Sequence, residues 1–284
     1  MSNSGIILID KKAGITTTKE EIQLKKIFNT RKVGHAGTLD PFATGLIICG
    51  IGKGTKVLTF LEEKNKTYTA ALRLGEKTDT GDKDGKIIGS KKASVHTGEE
   101  IKKALESFLG QSYQIPPMYS AIKKDGVPLY KLARENKKVE RERRLIRVFS
   151  IDLDSYEDDT IVFTVSVSKG TYIRTLGEDI ASKLGELGHL TALRRTKVGQ
   201  YSVEEACKID QVDPSKNLIS IRDCFKGVKE HVLSEAEQIR VHNGADISLP
   251  YSDQLILLIN TEGAAEALYI KSDKDYYKVL KEFI

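Results

Sequence analysis

An α+β fold is predicted for this chain of 284 residues by three observations. Segments with strand alternation and segments with helical spacing follow one another without a regular βαβα rhythm, which argues against a doubly wound parallel sheet. Hydrophobic residues make up 39% and charged residues 30%, an ordinary globular composition with enough apolar material for a sizeable core. The charge balance changes sign around Lys226 to Glu230, which places a boundary between a large unit, residues 1–229, and a small one, residues 230–284. About 55 residues are marginal as an independent fold, so the second unit is expected to dock on the first.

Taken in order, Ile6 to Ile9 reads as a short buried strand. Thr17 to Phe28 has helical spacing, with Ile22, Ile27 and Phe28 apolar among lysines and glutamates. A glycine-rich loop runs into a short apolar strand at Leu46 to Cys49, and Thr55 to Leu61 reads as helix. Thr67 to Leu74 alternates as a half-buried strand does. "GEKTDTGDKDGK" is turn chemistry, and Glu99 to Leu109 is an amphipathic helix stopped by Gly110. "SYQIPPMYSAIKKDG" is extended and broken by proline. Arg147 to Tyr156 and Ile161 to Ser168 read as paired strands, Lys169-Gly170 breaks the second, and Thr175 to Leu184 is a helix closed by Gly185.

Composition also excludes function classes. The apolar run near the N-terminus is too short for a signal-peptide core, and no stretch approaches a membrane span, so cytoplasm is the expected compartment. Three cysteines, Cys49, Cys207 and Cys224, lie far apart with no C-x-x-C pair, which argues against a disulfide framework or a zinc site. Between Lys123 and Arg147 there are ten Lys/Arg against four Asp/Glu, although the net charge of the whole chain is only +5. A basic block confined to one segment is the footprint of an element that binds a polyanion.

The loop "KVGHAGTLDPFATGLIICGIGKGTK" holds six glycines, one histidine and one aspartate. "GIGKGTK" fails as a phosphate loop, because the glycine-to-lysine spacing is wrong and Gly54 stands where a hydroxyl residue should follow the lysine. What remains is Asp40. Pro41 biases it toward extended backbone, Gly34 and Gly37 permit tight turning before it, and Gly45 permits close approach of another backbone. Such a loop projects one carboxylate, either as a turn cap or as a reacting group. In "VSKGTYIRTLGEDIA", Tyr172 and Arg174 stand two apart and point to one side if that segment is extended, a seat for a flat base and an anion. Tyr68, mid-strand, is a core aromatic or a stacking platform.

The order of these segments resembles the TruB-type tRNA pseudouridine synthases. "GHAGTLDPFATGLIICGIGKGTK", "KTYTAALRLGEKTDTGDKDG", "QIPPMYSAIKKDGVPLYKLAR", "SKGTYIRTLGEDIASKLG" and "GHLTALRRTKVGQY" match that family's motifs in sequence order over roughly residues 5 to 210. "LSEAEQIRVHNGADISL" with "ALYIKSDKDYYKVLKEF" is similar to a short PUA RNA-binding domain. The resemblance implies a mixed central sheet with flanking helices and an RNA-binding cleft, a monomer, and no metal or cofactor. It implies isomerisation of the uridine at position 55 in the T loop of tRNA. It makes Asp40 the catalytic carboxylate and Arg174 its partner. Tyr68 stacks on the target uracil, Tyr172 is a second tyrosine of the site, Leu193 belongs to the uracil pocket, and His35 holds bases displaced from the loop. The block from Lys123 to Arg147 overlies an insertion that folds over the T stem-loop.

Two departures stand out. The Asp-Lys-Pro usual near the N-terminus of that family is here Asp10-Lys11-Lys12. The segment from Glu230 onward carries five Lys/Arg against ten Asp/Glu, so it is expected to add little RNA affinity. Two other readings stand beside the synthase: the same chemistry on another RNA, and a non-catalytic tRNA-folding chaperone.

Overall fold

The computed structural model describes residues 4–135, 137, 139–274 and 276–284. Its centre is a ten-stranded mixed sheet. The main path runs Ile219–Ser220, Gly5–Lys11, Thr44–Ile51, Gly188–Val198, Lys66–Leu74, Thr160–Val167, Arg144–Glu157, Gly110–Gln114. Val33–His35 pairs with Thr44–Ile51, and Tyr201–Ser202 with Gly188–Val198. Thr44–Ile51 and Gly188–Val198 run parallel; every other pair along the path is antiparallel.

Alternation along the strands decides what each face packs against. In Gly5–Lys11, Ile7 and Ile9 enter one core while Ile6 and Leu8 enter another. Thr44–Ile51 divides the same way, with Ile47, Cys49 and Ile51 on one side and Leu46 and Ile48 on the other. This half of the sheet is covered on both faces, which is why its strands read as unbroken apolar runs. In Thr160–Val167 only Ile161, Phe163, Val165 and Val167 are buried, and the alternate residues are half-exposed. A one-sided strand must alternate, and this one does.

The helices begin where side chains can take up free backbone N–H groups. Thr16 accepts from the backbone N–H of Lys19 at the start of Thr17–Ile27, and Thr97 forms a capping box with Glu100 at the start of Gly98–Glu106. Helix at Thr55 to Leu61 is corrected to two short pieces, a 3-10 turn over Gly52–Val57 followed by an α-turn over Leu58–Glu62. The turn is pressed against the first strand: a Cβ on Gly54 would stand 1.8 Å from the Gly5 carbonyl oxygen.

Residues Lys229–Val232, Leu255–Ile259, Ala265–Lys271 and Tyr277–Glu282 form a separate four-stranded sheet in that order, beside the helix Glu235–His242. One face encloses a small core with Leu233, Val241, Ile256, Leu258, Tyr269 and Tyr277. The other face contributes Leu257, Ile259 and Leu268, with Phe283 just past the last strand, to the core that holds Ile6, Leu8, Leu46 and Ile48. Removing residues 230–284 would therefore bare that core. Any contribution of this segment to RNA affinity is better tested by changing its surface charges.

Among the described residues no helix is long and apolar enough to cross a membrane.

Candidate active site

Asp40 sits in the loop between Val33–His35 and Thr44–Ile51, and three contacts hold that loop from beneath. The Lys11 ammonium is buried and donates to the carbonyls of Lys12, Ile15 and Pro41 at 3.0, 2.8 and 3.2 Å. Burial lowers its pKa to about 8. Thr17 Oγ1 accepts from the Leu39 backbone N–H at 3.1 Å. Arg195, also buried, donates from Nε to the Leu46 carbonyl at 2.7 Å and from Nη2 to the Gly37 carbonyl at 3.0 Å. The approach of another backbone that Gly45 was expected to permit is that of Arg195: a Cβ on Gly45, whose φ is +102°, would stand 2.3 Å from the Arg195 carbonyl oxygen. Gly45→Ala is expected to cost about 3 kcal/mol or more from clash and left-handed strain together. Urea denaturation checks this, and a loss below about 1 kcal/mol would mean that the loop yields.

Arg174 is brought to Asp40 from the opposite half of the chain. Nη2 donates to Asp40 Oδ1 at 3.0 Å, and Nε lies 2.9 Å from Oδ2 as an ion-pair contact without the alignment of a hydrogen bond. The remaining donors reach the Thr80 carbonyl (Nη1, 2.8 Å) and the Tyr119 carbonyl (Nη2, 2.8 Å). Asp82 Oδ2 stands 3.5 Å from Nη1. Asp82 is itself fixed by Thr80 Oγ1 at 2.7 Å and the Asp84 backbone N–H at 3.1 Å. The guanidinium is only 4% exposed, so charge and hydrogen bonds from every side offset its desolvation. A fork of this shape can serve two carboxylates and two carbonyls at once; a lysine cannot.

The extended geometry expected for Tyr172 and Arg174 is corrected here. The helix begins at Ile173, not at Thr175, so Tyr172 is its N-cap residue and Arg174 lies in its first turn. The two side chains reach the cleft from a helix start rather than from alternate positions of a strand.

Asp40 keeps 33% of its side-chain surface open, and that opening faces a cleft of about 580 Å³. Burial of the rest, with Asp82 nearby, raises the Asp40 pKa above its ordinary value, while the Arg174 guanidinium pulls it back. Tyr68, Tyr172, Arg174 and Leu193 line the same cleft, so five of the six candidate residues converge. Tyr68 lies opposite Arg195 and Val165 in the sheet register, with its ring on the face of the larger core. Burial raises the Tyr172 phenol.

His35 does not line the cleft. Its Nδ1 meets the Glu21 carboxylate, and its Nε2 is 3.0 Å from Thr38 Oγ1, which does line it. Sequence reading also passed over Lys66 and Arg195, both buried and both lining the cleft. Burial first, and Arg195 second, lower the Lys66 ammonium to about 8. Asp82 was visible only as turn chemistry in "TDTGDKDG". No local pattern marks it as a partner of Arg174, 92 positions away.

Among the described residues no group of three or more His, Cys, Asp or Glu side chains is placed to hold a metal ion. Carboxylate, guanidinium, aromatic rings and an apolar wall can orient a flat heterocycle and act on it as nucleophile or base.

Similarity to solved structures fits this arrangement. A Cbf5-Nop10-Gar1 complex aligns with a TM-score of 0.72 at 23% identity, over 99% of this chain and 85% of that one. An H/ACA RNP bound to a substrate RNA containing 2'-deoxyuridine aligns with a TM-score of 0.71 at 21% identity, over 99% and 86%. These two likenesses are of fold. Residues 25–173 match the TruB family pseudouridylate synthase N-terminal domain, and residues 174–223 the tRNA pseudouridylate synthase B C-terminal domain. A tRNA pseudouridine synthase B of Mesoplasma florum is 38% identical over 98% of this chain and 97% of its own. One of Syntrophotalea carbinolica is 44% identical over 74% and 69%. The chain belongs to the TruB family of pseudouridylate synthases.

Proposed function

We propose that the chain converts the uridine at position 55, in the T loop of tRNA, to pseudouridine, with Asp40 as the reacting group. The observation that carries the proposal is the Asp40–Arg174 pair, open on one side to a cleft walled by Tyr68, Tyr172 and Leu193. The reaction is an isomerisation: the bond from ribose C1′ to uracil N1 breaks, a bond from C1′ to C5 forms, the C5 proton leaves to water and N1 takes up a proton from water. Atoms balance without a co-reactant. Asp40 acts as nucleophile or as base in this exchange, and Arg174 keeps it charged and aimed.

The target base is stacked in folded RNA and must be flipped, at a cost of a few kcal/mol. Stacking on Tyr68 returns about 1–3 kcal/mol, and Leu193 dries the other side of the pocket. His35, held by Glu21 beside the cleft, takes bases displaced from the loop. The basic block from Lys123 to Arg147 supplies phosphate contacts over the stem. The acidic unit 230–284 is a PUA-like domain with little weight in affinity. The protein works as a monomer in the cytoplasm, without metal or cofactor.

An unmodified tRNA transcript tritiated at C5 of uridine tests this reading. Incubated with the protein in EDTA, it is expected to release tritium, with the modified nucleotide mapping to the T loop. Release from another position would keep the chemistry and change the substrate. Tight binding with no release would favour the chaperone reading.

A further inference from the structure

We infer that Gln114 is a positioning residue for the candidate site, an inference that rests on the roles proposed for Asp40, Tyr172 and Arg174. Gln114 ends the edge strand Gly110–Gln114, opposite Arg144, and its side chain is buried. Its Nε2 donates to the Tyr172 carbonyl at 3.1 Å, and its Oε1 accepts from the Tyr172 N–H at 2.8 Å. One side-chain amide thus engages both backbone polar groups of a residue 58 positions away, as a rung of a ladder would.

Tyr172 has need of such a hold. It occupies the N-cap of Ile173–Lys183, where a Ser, Thr, Asn or Asp would ordinarily anchor the helix start, and no side-chain cap is present. A tyrosine whose ring lines the cleft cannot supply that anchor. Gln114 does not take the helix's free N–H groups; it fixes the residue that precedes them. The same backbone sets the direction of the Tyr172 ring and, two residues on, of the Arg174 guanidinium. A second tie lies just beyond, where Arg174 Nη2 reaches the Tyr119 carbonyl at 2.8 Å. Ile115, Pro116, Pro117 and Met118 join the two ties through a stretch that proline stiffens. Loss of the amide therefore shifts groups whose placement sets rate, while the backbone pairing of Gln114 with Arg144, in the basic block, does not depend on the side chain.

Single-turnover rate and tRNA affinity, measured on the full chain, separate this role from plain packing. Gln114→Leu is expected to lower the rate about tenfold to a hundredfold while the Kd for an unmodified tRNA transcript stays within about threefold. Gln114→Glu gives a signature that packing alone would not. Its carboxylate accepts the Tyr172 N–H but repels the Tyr172 carbonyl, and its protonated form restores the donor. Burial raises the pKa of the introduced carboxyl, so the rate relative to wild type is expected to climb as pH falls from about 8 to about 6. A wild-type rate for Gln114→Leu, or loss of rate and affinity in parallel, would overturn the assignment. If Gln114→Leu does not fold by circular dichroism, a flat pH ratio for Gln114→Glu overturns it instead. Asp40→Asn run alongside keeps the two levels apart. An active Asp40→Asn brings down the catalytic reading and this inference together, whereas an inactive one beside a fully active Gln114→Leu removes only the inference.

Discussion

Asp40→Asn is expected to lower single-turnover pseudouridine formation by about a thousandfold or more while tRNA binding is unchanged or tighter. Asparagine keeps the shape of the side chain and loses the charge, so it neither attacks ribose nor takes a proton. Removing a negative charge from an RNA-facing cleft cannot weaken attraction to phosphate. Rapid-quench kinetics with excess enzyme reads the first quantity and filter binding the second; turnover near wild type would take Asp40 out of the reaction.

The same residue makes a prediction about pH. Its folded-state pKa is raised above the ordinary 3.8, chiefly by burial. A raised carboxyl favours the protonated folded state, so its contribution to stability is fully present below the unfolded pKa and is lost as pH rises through the folded one. The stability of Asp40→Asn relative to wild type should therefore grow as pH rises from about 3.8 through the folded pKa. Turnover should follow the opposite course, because the ionised form reacts. The acid limb of the wild-type rate profile should lie above 3.8, and a limb at or below that value would contradict the burial of this carboxyl.

Arg174 carries the second large effect. Arg174→Met is expected to destabilise the fold by about 3–5 kcal/mol, because Asp82 and Asp40 are left without their buried cation and the Thr80 and Tyr119 carbonyls without a donor. Arg174→Lys keeps the charge and should cost less stability. One ammonium cannot reach both oxygens of Asp40 and both carbonyls, so the rate should still fall by about a hundredfold. Urea denaturation and single-turnover rates separate the two variants. A lysine variant with the wild-type rate would show that charge alone, without the fork, serves the site.

Much of the fold was legible where one physical rule dominated. Strands buried on both faces carry unbroken apolar runs, as in Ile6 to Ile9, and the one-sided strand Ile161 to Ser168 alternates. Misreadings fell where tertiary contact overrode a local pattern. Thr55 to Leu61 has helical composition, but Gly54 just before it lies against the Gly5 backbone, and Thr55 to Val57 complete the 3-10 turn that starts at Gly52. The helix after Tyr172 starts two residues before the point that spacing suggested, because its N-cap is a tyrosine and carries no capping signal.

The amino-acid sequence by itself determined the α+β class, the special loop around Asp40, the family, and the residue types available for chemistry. These are local properties: proline and glycine restrict or free the backbone wherever they stand, and ordered motifs survive as letters. Only the tertiary structure decided which of those residues meet. Asp40 and Arg174 are 134 positions apart, and they touch because Gly188–Val198 lies between Thr44–Ile51 and Lys66–Leu74 and joins the two halves of the sheet. Asp82, Gln114, Lys66 and Arg195 acquire their places only once that sheet closes. A buried charge or amide must find partners wherever the fold provides them, and no spacing along the chain records where that will be.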